Sequence, residues 1–230
     1  MTTQRQRSTT GRCGRCGTIV GRIAMRRHVA SCPVSVEAHS DSKTHRQAGA
    51  PAEALLVEAC APRSPYWLLA AVAVNAPLHA LDGLLRSVWL ECCGHLSEFD
   101  IDGVRYLSAV SGPPEAGARS MRAKVGAVLR PERKFSHVYD FGTSTYLALQ
   151  VIDVLPWRAP AGSAILLANN RGPQWSCSSC GKPAVSMAMD CGEDIFYCTE
   201  CEPGEEDAVL PVVNSPRIGQ CGYTGPGAPD

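Results

Sequence analysis

The chain has 230 residues, 45% of them hydrophobic, and its 22 lysines and arginines balance its 22 aspartates and glutamates. This composition is ordinary for a globular protein and leaves room for a sizeable core. The most apolar segment, residues 66–76, is too short to span a bilayer and contains Asn75, so we expect no membrane partner.

Twelve cysteines are many for a chain of this length. The first arginines are followed by glycine, arginine and cysteine rather than by an apolar stretch, so the start does not resemble a secretory leader. We therefore expect a cytoplasmic protein with reduced thiols. In such a protein, pairs of cysteines with two residues between them bind metal rather than form disulfides.

Residues 1–46 are predicted to form a basic N-terminal arm that contains a zinc finger of the CCHC type. The arm carries nine lysines and arginines against two acidic residues. Its ligands follow the spacing of a ββα finger whose last histidine is replaced by cysteine, with a middle loop one residue shorter than usual: Cys13, Cys16, His28 and Cys32. A helix over 22–31 places the last two ligands on one face. The alternative is a disordered arm whose three cysteine thiols bind no metal.

Arginines surround this finger and form a surface suited to phosphates: Arg12, Arg15, Arg22, Arg26 and Arg27. They make nucleic acid a candidate partner. Against this, one finger reads only about three base pairs and rarely suffices alone. A single finger is at least as often a protein-binding module, so both kinds of partner stay open.

The centre of the chain begins with a predicted linker and a predicted core. Residues 47–64 are rich in loop-forming residues and are expected to be a linker, with a short helix as an option over 52–60. The core is assigned to residues 65–172. A run of small apolar residues predicts a buried strand over 67–74, and leucines at helical spacing predict an amphipathic helix over 77–91.

The rest of the core is predicted to be mainly β-structure. Asp102-Gly103 is a strong signal for a two-residue hairpin turn between two short strands. Residues 121–129 form either a short helix or a strand. Alternating and then aliphatic residues predict a strand pair over 135–154 that turns at 142–144. Residues 164–167 are one further apolar segment.

The C-terminal part, residues 173–230, is predicted to contain a zinc ribbon-like module and a tail. Two cysteine pairs with seventeen residues between them have the spacing of a zinc–tetrathiolate site: Cys177, Cys180, Cys198 and Cys201. Four protein ligands leave no open coordination position, so we expect this zinc, like that of the finger, to be structural. Cys191 is a bystander or an alternate ligand, and the sequence assigns no role to Cys221.

Acidic residues and a histidine in the core raise the question of a catalytic site: His95, Glu98, Asp100, Asp102 and Asp140. We favour a plainer interpretation. The carboxylates at 98, 100 and 102 line a solvated strand face and a turn, and Asp140 hydrogen-bonds the backbone of the turn before Gly142. Three remaining cysteines are interpreted as small buried apolar residues: Cys60, Cys92 and Cys93.

Several motifs of the core resemble a known family. The segment LHALDGLLRSVWLECCGHLSEFDIDGVRY, followed by KFSHVYDFGTSTYLALQVI, is similar to the plasmid pRiA4b ORF-three-like family, whose members are often described as insertion-element passenger TnpR-like proteins. The tail PVVNSPRIGQCGYTG also resembles the end of some members. The chain departs from the family pattern after YDFG, where Thr143-Ser144-Thr145 replaces the frequent aromatic or acidic residue.

The resemblance implies an α+β fold with a compact mixed sheet and packed helices, flanked here by the N-terminal finger and the C-terminal ribbon. It supplies no mechanism. We expect a non-enzymatic, zinc-binding interaction protein with two structural Zn²⁺ ions, in contact with nucleic acid as one option and associated with mobile elements. One alternative is a recombination accessory factor or enzyme with a site near His95, Asp100 and Asp140. The other is a protein-binding adaptor.

Overall fold

The computed structural model describes residues 10–32, 50–109, 117–190, 193–204 and 209–226. Within these residues the strands are β1 (Thr10–Cys13), β2 (Ile19–Gly21), β3 (Ala52–Cys60), β4 (Trp67–Ala73), β5 (Ser97–Ile101), β6 (Val104–Leu107), β7 (Arg119–Ser120), β8 (Lys134–Tyr139), β9 (Thr145–Ala159), β10 (Ala164–Asn170), β11 (Ser186–Asp190), β12 (Glu193–Tyr197) and β13 (Leu210–Pro211). The α-helices are α1 (Arg22–Ser31), α2 (Leu78–Leu85) and α3 (Val125–Val128). A π-helical turn at Arg86–Leu90 extends α2.

Most of the strands lie in one large sheet. In the described part of the chain, ten strands form a sheet in the order β2-β1-β10-β4-β3-β9-β8-β5-β6-β7, and three form a second sheet in the order β12-β11-β13. Neighbouring strands are antiparallel except β6 and β7, which are parallel. Such a mixed sheet with few helices fits the expected α+β fold. Among the described residues, no helix is both long and apolar enough to cross a membrane.

Several local predictions of the core are confirmed. The strand predicted at 67–74 is β4, all of whose residues are buried. The Asp102-Gly103 turn joins β5 to β6, and both turn residues have positive φ angles, 54° and 78°. The strand pair predicted over 135–154 is β8 and β9, which pair in register from Lys134 to Tyr139. Strand period and turn chemistry are local properties, which is why the sequence alone reveals them.

Other expectations are corrected by the structure. Residues 52–60 form neither linker nor helix but β3, a central strand between β4 and β9. Its apolar middle is buried on both faces of the sheet, which favours a strand over an amphipathic helix. The helix predicted over 77–91 is α2 followed by the π-helical turn. Of the ambiguous segment 121–129, only the four residues of α3 are helical. Cys191 lies outside the described residues.

The segment predicted to be the N-terminal finger, residues 10–32 of which are described, is continuous with the large sheet. Strand β1 pairs with β10 through Gly11 and its neighbours, and β2 pairs with β1. Met25 and Val29 of α1 are fully buried in the same hydrophobic cluster as β3, β4 and α2. The finger therefore shares a core with the centre of the chain.

The close contact of β1 with Trp67 gives a test of this arrangement. A Cβ atom at Gly11 would meet the indole of Trp67 and lie 2.5 Å from the carbonyl oxygen of Asn169. We expect Gly11→Ala to lower the free energy of unfolding by about 1–3 kcal/mol, the usual cost of overpacking. Thermal or denaturant unfolding of the purified protein measures it.

The matched control is Gly83→Ala. Gly83 is exposed in α2, and a Cβ atom there would meet nothing within 4 Å. Alanine is the better helix former, so this variant should gain up to about 1 kcal/mol. If both variants unfolded alike, β1 would not be packed on the sheet in solution.

Candidate metal centres

The four predicted ligands of the finger converge. Cys13 is the last residue of β1 and Cys16 lies on the turn that follows, and His28 and Cys32 lie at the end of α1 and just beyond it. Their ligand atoms are all within 4.8 Å of one another. The Sγ atoms of Cys13 and Cys32 are 4.0 Å apart, and Cys16 Sγ lies 3.1 Å from His28 Nε2. This geometry is compatible with metal binding.

Backbone hydrogen bonds form the first cysteine turn. The Gly17 amide donates to Cys13 O, and the Cys13 amide donates to Thr18 O, both at 2.9 Å. Gly17 has a φ angle of 77°, which a glycine adopts without strain. A hydrogen bond with the Thr18 hydroxyl lowers the pKa of Cys16 to about 6. Because the thiolate is the metal-binding form, this favours binding near neutral pH.

The four predicted ligands at the C-terminal end also converge, again within 4.8 Å. Cys177 and Cys180 precede β11, Cys198 and Cys201 follow β12, and the Sγ atoms of Cys180 and Cys198 are 3.6 Å apart. The Gly181 amide donates to Cys177 O at 2.9 Å, with a φ angle of 75° at the glycine. The β11–β12 hairpin thus holds two cysteine turns against each other.

The thiols of this cluster differ in their acidity. Backbone amides of Cys198 and Cys180 lower the pKa of Cys177 to about 6. The hydrogen bond with Cys180 raises the pKa of Cys201 to about 12. Neighbouring thiolates repel each other, so all four sulfur atoms become anionic together only beside a cation.

A third cluster was not predicted as a metal site. Cys92, Cys93, His95 and Cys221 place their ligand atoms within 4.8 Å of one another. Cys93 Sγ lies 3.6 Å from Cys92 Sγ, 3.8 Å from Cys221 Sγ and 2.9 Å from His95 Nε2. His95 Nε2 lies 3.3 Å from Cys221 Sγ.

This cluster corrects the interpretation of Cys92 and Cys93 as buried apolar residues. Cys93 and Cys221 are exposed, and Cys92 is half-buried. The local sequence Cys-Cys-Gly-His was a usable signal, because cysteine and histidine together suit a borderline-soft cation. The fourth residue lies 126 positions after His95, a distance at which no spacing rule applies.

The sulfur–sulfur separations in the three clusters resemble those of a tetrahedral site, and the sulfur–nitrogen separations are shorter. With bonds of about 2.3 Å to sulfur and about 2.0 Å to nitrogen, tetrahedral zinc holds two sulfur atoms about 3.8 Å apart and sulfur and nitrogen about 3.5 Å apart. The sulfur–sulfur separations given above are 3.6–4.0 Å. The sulfur–nitrogen separations are 2.9–3.3 Å.

A hydrogen-bond network supports the loop that carries Cys92, Cys93 and His95. The Tyr139 hydroxyl accepts hydrogen bonds from the amides of Cys92 (3.4 Å) and His95 (3.3 Å) and donates one to Glu91 Oε1 (3.0 Å). Arg86 donates to Glu91 Oε2 and to His95 O, both at 2.6 Å. The loop is therefore held from its backbone, independently of its thiols.

Arg86 is itself held by a buried carboxylate. Asp82 accepts hydrogen bonds from Arg86 Nε (2.8 Å), His137 Nε2 (2.7 Å) and Ser97 Oγ (2.7 Å). Burial raises the pKa of Asp82, but the hydrogen bonds from His137 and Ser97 and the charge of Arg86 outweigh it, so the pKa is lowered. Ser97 and His137 are fully buried, so this Ser-His-Asp group is inaccessible to a substrate.

Arg217 attaches the C-terminal segment to the same region. Its guanidinium is fully buried and donates to Asp140 Oδ2 at 2.7 Å and to Thr143 O at 2.9 Å. Asp140 also accepts from the Gly142 amide at 2.9 Å, as the sequence predicted. Burial raises the pKa of Asp140, but the bond from Arg217 outweighs it and the net shift is downward.

The residues of the alternative enzyme site have structural partners. His95 Nε2 lies 3.5 Å from Asp140 Oδ2, so the structure brings these two together. Asp100, in contrast, accepts a hydrogen bond from the Gly103 amide in the hairpin turn. Glu98 pairs with Arg105, and Asp102 pairs with Arg133. These carboxylates shape the turn and the strand surface.

The arginines proposed for nucleic acid are only partly exposed. Arg22 and Arg26 both bind Glu58, a carboxylate of β3 that is 2% exposed. Their Nε atoms donate to its Oε1 at 3.0 and 2.8 Å. Arg15 lies over the ring of Trp157, 5.1 Å from its centroid. Of the five, Arg12 and Arg27 are exposed.

Comparison with known proteins identifies neither a family nor a function for this chain. No family model matches the chain, and no curated protein matches it. A solved structure of a protein of unknown function from Methanosarcina mazei Go1 is similar, with a TM-score of 0.40 and 18% identity over 47% of this chain. The match spans 66% of that protein's length. A likeness this weak identifies neither a shared fold nor a function.

The network around Arg86 predicts a large effect of one substitution. Arg86→Ala removes the hydrogen bonds to Asp82, Glu91 and His95 O and leaves the buried Asp82 without its guanidinium. We expect a loss of about 3–5 kcal/mol in the free energy of unfolding, the usual cost of breaking a buried ion pair. Denaturant unfolding of both proteins measures it.

Arg105→Ala is the control for charge removal alone. Arg105 pairs with Glu98 at the surface, with 45% of its side chain exposed, so its loss should cost less than about 1 kcal/mol. Equal losses in the two variants would contradict the supporting role of Arg86.

Proposed function

We propose that the protein is a zinc-binding interaction protein with structural Zn²⁺ at the two predicted clusters. The observation that carries this proposal is the convergence of four ligands at each: Cys13, Cys16, His28 and Cys32, and Cys177, Cys180, Cys198 and Cys201. Four protein ligands complete a tetrahedral shell, which is typical of structural and not of catalytic zinc. Membership of the pRiA4b ORF-three-like family, and with it the association with mobile elements and the cytoplasmic location, is part of the proposal and rests on sequence patterns alone.

A protein partner is favoured over nucleic acid. Glu58 engages Arg22 and Arg26, so part of each guanidinium is already occupied by a buried carboxylate and is not free for a phosphate. On the same finger, Ile19 and Ile23 are 49% and 66% exposed, which suits contact with protein better than with phosphate. The adaptor hypothesis therefore fits the finger better than the nucleic-acid hypothesis does.

Metal content tests the two zinc sites one at a time. We expect Cys13→Ser and Cys177→Ser each to hold one zinc ion fewer than the wild-type protein, measured by elemental analysis of reduced, purified protein. Serine is a poor zinc ligand, so losing one thiolate from a four-ligand site should empty it.

Cys60→Ser is the matched control, because Cys60 is half-buried in β3 and belongs to none of the three clusters. Its zinc content should equal that of the wild type. If Cys177→Ser kept the full zinc content, zinc binding at the ribbon cluster would be refuted. The same result for Cys13→Ser would refute zinc binding at the finger cluster.

The salt dependence of DNA binding tests the nucleic-acid option. For B-DNA the slope of log K against log salt is about −0.9 per phosphate contact. Of the five finger arginines Arg12 and Arg27 are the exposed ones, so we expect these five to contribute no more than about −2 to the slope, and the Arg12→Ala/Arg27→Ala double variant to lose that contribution.

If replacing all five finger arginines by alanine made the slope shallower by about 4.5, all five would contact phosphates and the Glu58 pairs would open on binding. Arg122→Ala provides the control for lost positive charge, since Arg122 is exposed and lies outside the finger. Fluorescence anisotropy over a range of salt concentrations supplies the measurement.

A further inference from the structure

We propose that Cys92, Cys93, His95 and Cys221 bind a third, exchangeable divalent cation of the zinc class, which clamps the C-terminal segment, residues 209–226, onto the central sheet. The donor set of three sulfur atoms and one imidazole nitrogen selects borderline-soft cations over Mg²⁺ or Ca²⁺, which prefer oxygen. The sulfur–sulfur separations of 3.6 and 3.8 Å are those of a tetrahedral zinc site.

The ligands come from two distant parts of the chain. Cys92, Cys93 and His95 lie in the loop between the π-helical turn and β5, and Cys221 lies in the C-terminal segment. An ion bound by all four therefore joins the two parts by coordinate bonds. In this it differs from the finger and the ribbon, where the ligands of each site come from one stretch of chain.

The protein around the cluster already positions its ligands. Tyr139 and Arg86 hold the loop backbone, and Arg217 holds the segment through Asp140. The Ser215 hydroxyl donates to Trp89 O at 2.6 Å, and the Thr145 hydroxyl donates to Gln220 Oε1 at 3.1 Å, next to Cys221. Outer partners that orient the ligands are a regular feature of built metal sites.

Cys221 has a backbone conformation that is uncommon for a residue with a side chain. Its φ angle is 49°, in the left-handed region that a residue with a Cβ atom adopts at a cost. Glycine is the usual residue there, and the adjacent Gly219 and Gly222 have φ angles of 75° and 65°. A cysteine at such a position is consistent with selection for its thiol.

Exposure distinguishes this cluster from the ribbon. In the ribbon Cys180 is exposed but Cys177 and Cys198 are buried, at 3% and 4% exposed. In the third cluster no ligand is buried, since Cys93 and Cys221 are exposed and Cys92 and His95 are half-buried. The His95 side chain is 31% exposed. Water and competing chelators therefore reach the ion from solution, so we expect it to exchange faster than the ions of the other two sites.

Zinc analysis of Cys221→Ser tests the site. The wild-type protein should hold three zinc ions, and Cys221→Ser two, with Cys60→Ser at three as the control. If wild type and Cys221→Ser had equal zinc contents, the proposal would be overturned. The outcome is separate from that for the finger and the ribbon, because Cys13→Ser and Cys177→Ser report on those sites individually.

Hydrogen exchange after mild chelation tests the clamp. A chelator that removes one ion from the wild type should speed amide exchange in residues 209–226 by about tenfold while the β11–β12 hairpin keeps its protection. Cys221→Ser should show the fast exchange from the start and no response to the chelator. Added Zn²⁺ should restore protection in the wild type alone.

Two outcomes would refute the clamp. One is a wild type that loses its first ion without any change in residues 209–226. The other is a Cys221→Ser variant whose segment is as protected as that of the metal-loaded wild type. Cys93→Ser is the second variant, so that the result does not depend on the strained position 221; it should behave as Cys221→Ser does.

Discussion

The side chain of Tyr139 makes the contacts on which the centre of the structure depends. Tyr139 ends β8, and the guanidinium groups of Arg86 and Arg217 each lie over its ring, 4.8 Å from the ring centroid. Arg86 belongs to the π-helical turn after α2, and Arg217 belongs to the C-terminal segment. The phenol hydroxyl meanwhile binds the loop of the third cluster. One aromatic residue thus joins the sheet, the helix, the cysteine loop and the C-terminal segment. Cation–π contacts in a desolvated site contribute appreciably to the stability of the fold.

Buried charge plays a similar part at the N-terminal end. Glu58 lies on the central strand β3, where an unpaired carboxylate would be costly. Burial raises the pKa of Glu58, but the hydrogen bonds of Arg22 and Arg26 outweigh it and keep the carboxylate ionised. The finger therefore supplies the positive charges that pair with Glu58, and these ion pairs fix its orientation on the sheet. Arg22 and Arg26, two of the five arginines that the sequence suggests for phosphate binding, are in the fold partners of this buried acid.

The sequence predicts those features that depend on neighbouring residues. The Asp102-Gly103 turn and the β8–β9 pair depend on local sequence, and the structure contains both. The ligands at 13–32 and at 177–201 also follow local spacings, and in the structure their ligand atoms converge. Residues 52–60 show the limit, because AEALLVEAC contains good helix formers and becomes a strand only through its pairing with β4 and β9. The third cluster shows the same limit, because no rule of sequence spacing predicts that Cys221 lies beside Cys93, 128 positions earlier. Both results come from tertiary packing.

The three clusters differ in what a bound ion contributes to folding. The main hydrophobic cluster includes Cys13, Met25 and Val29 of the finger, so apolar burial alone holds much of that module. Among the described residues, the fully buried members of this cluster extend no further than Ala168, and the ribbon has little more than Met187 and the stacked rings of Trp175 and Phe196. A unit with so small a core needs a metal or another cross-link to be stable. Under the proposed function, a zinc ion at the ribbon would therefore supply folding free energy to that unit, whereas a zinc ion at the finger would add to a structure that the sheet already supports.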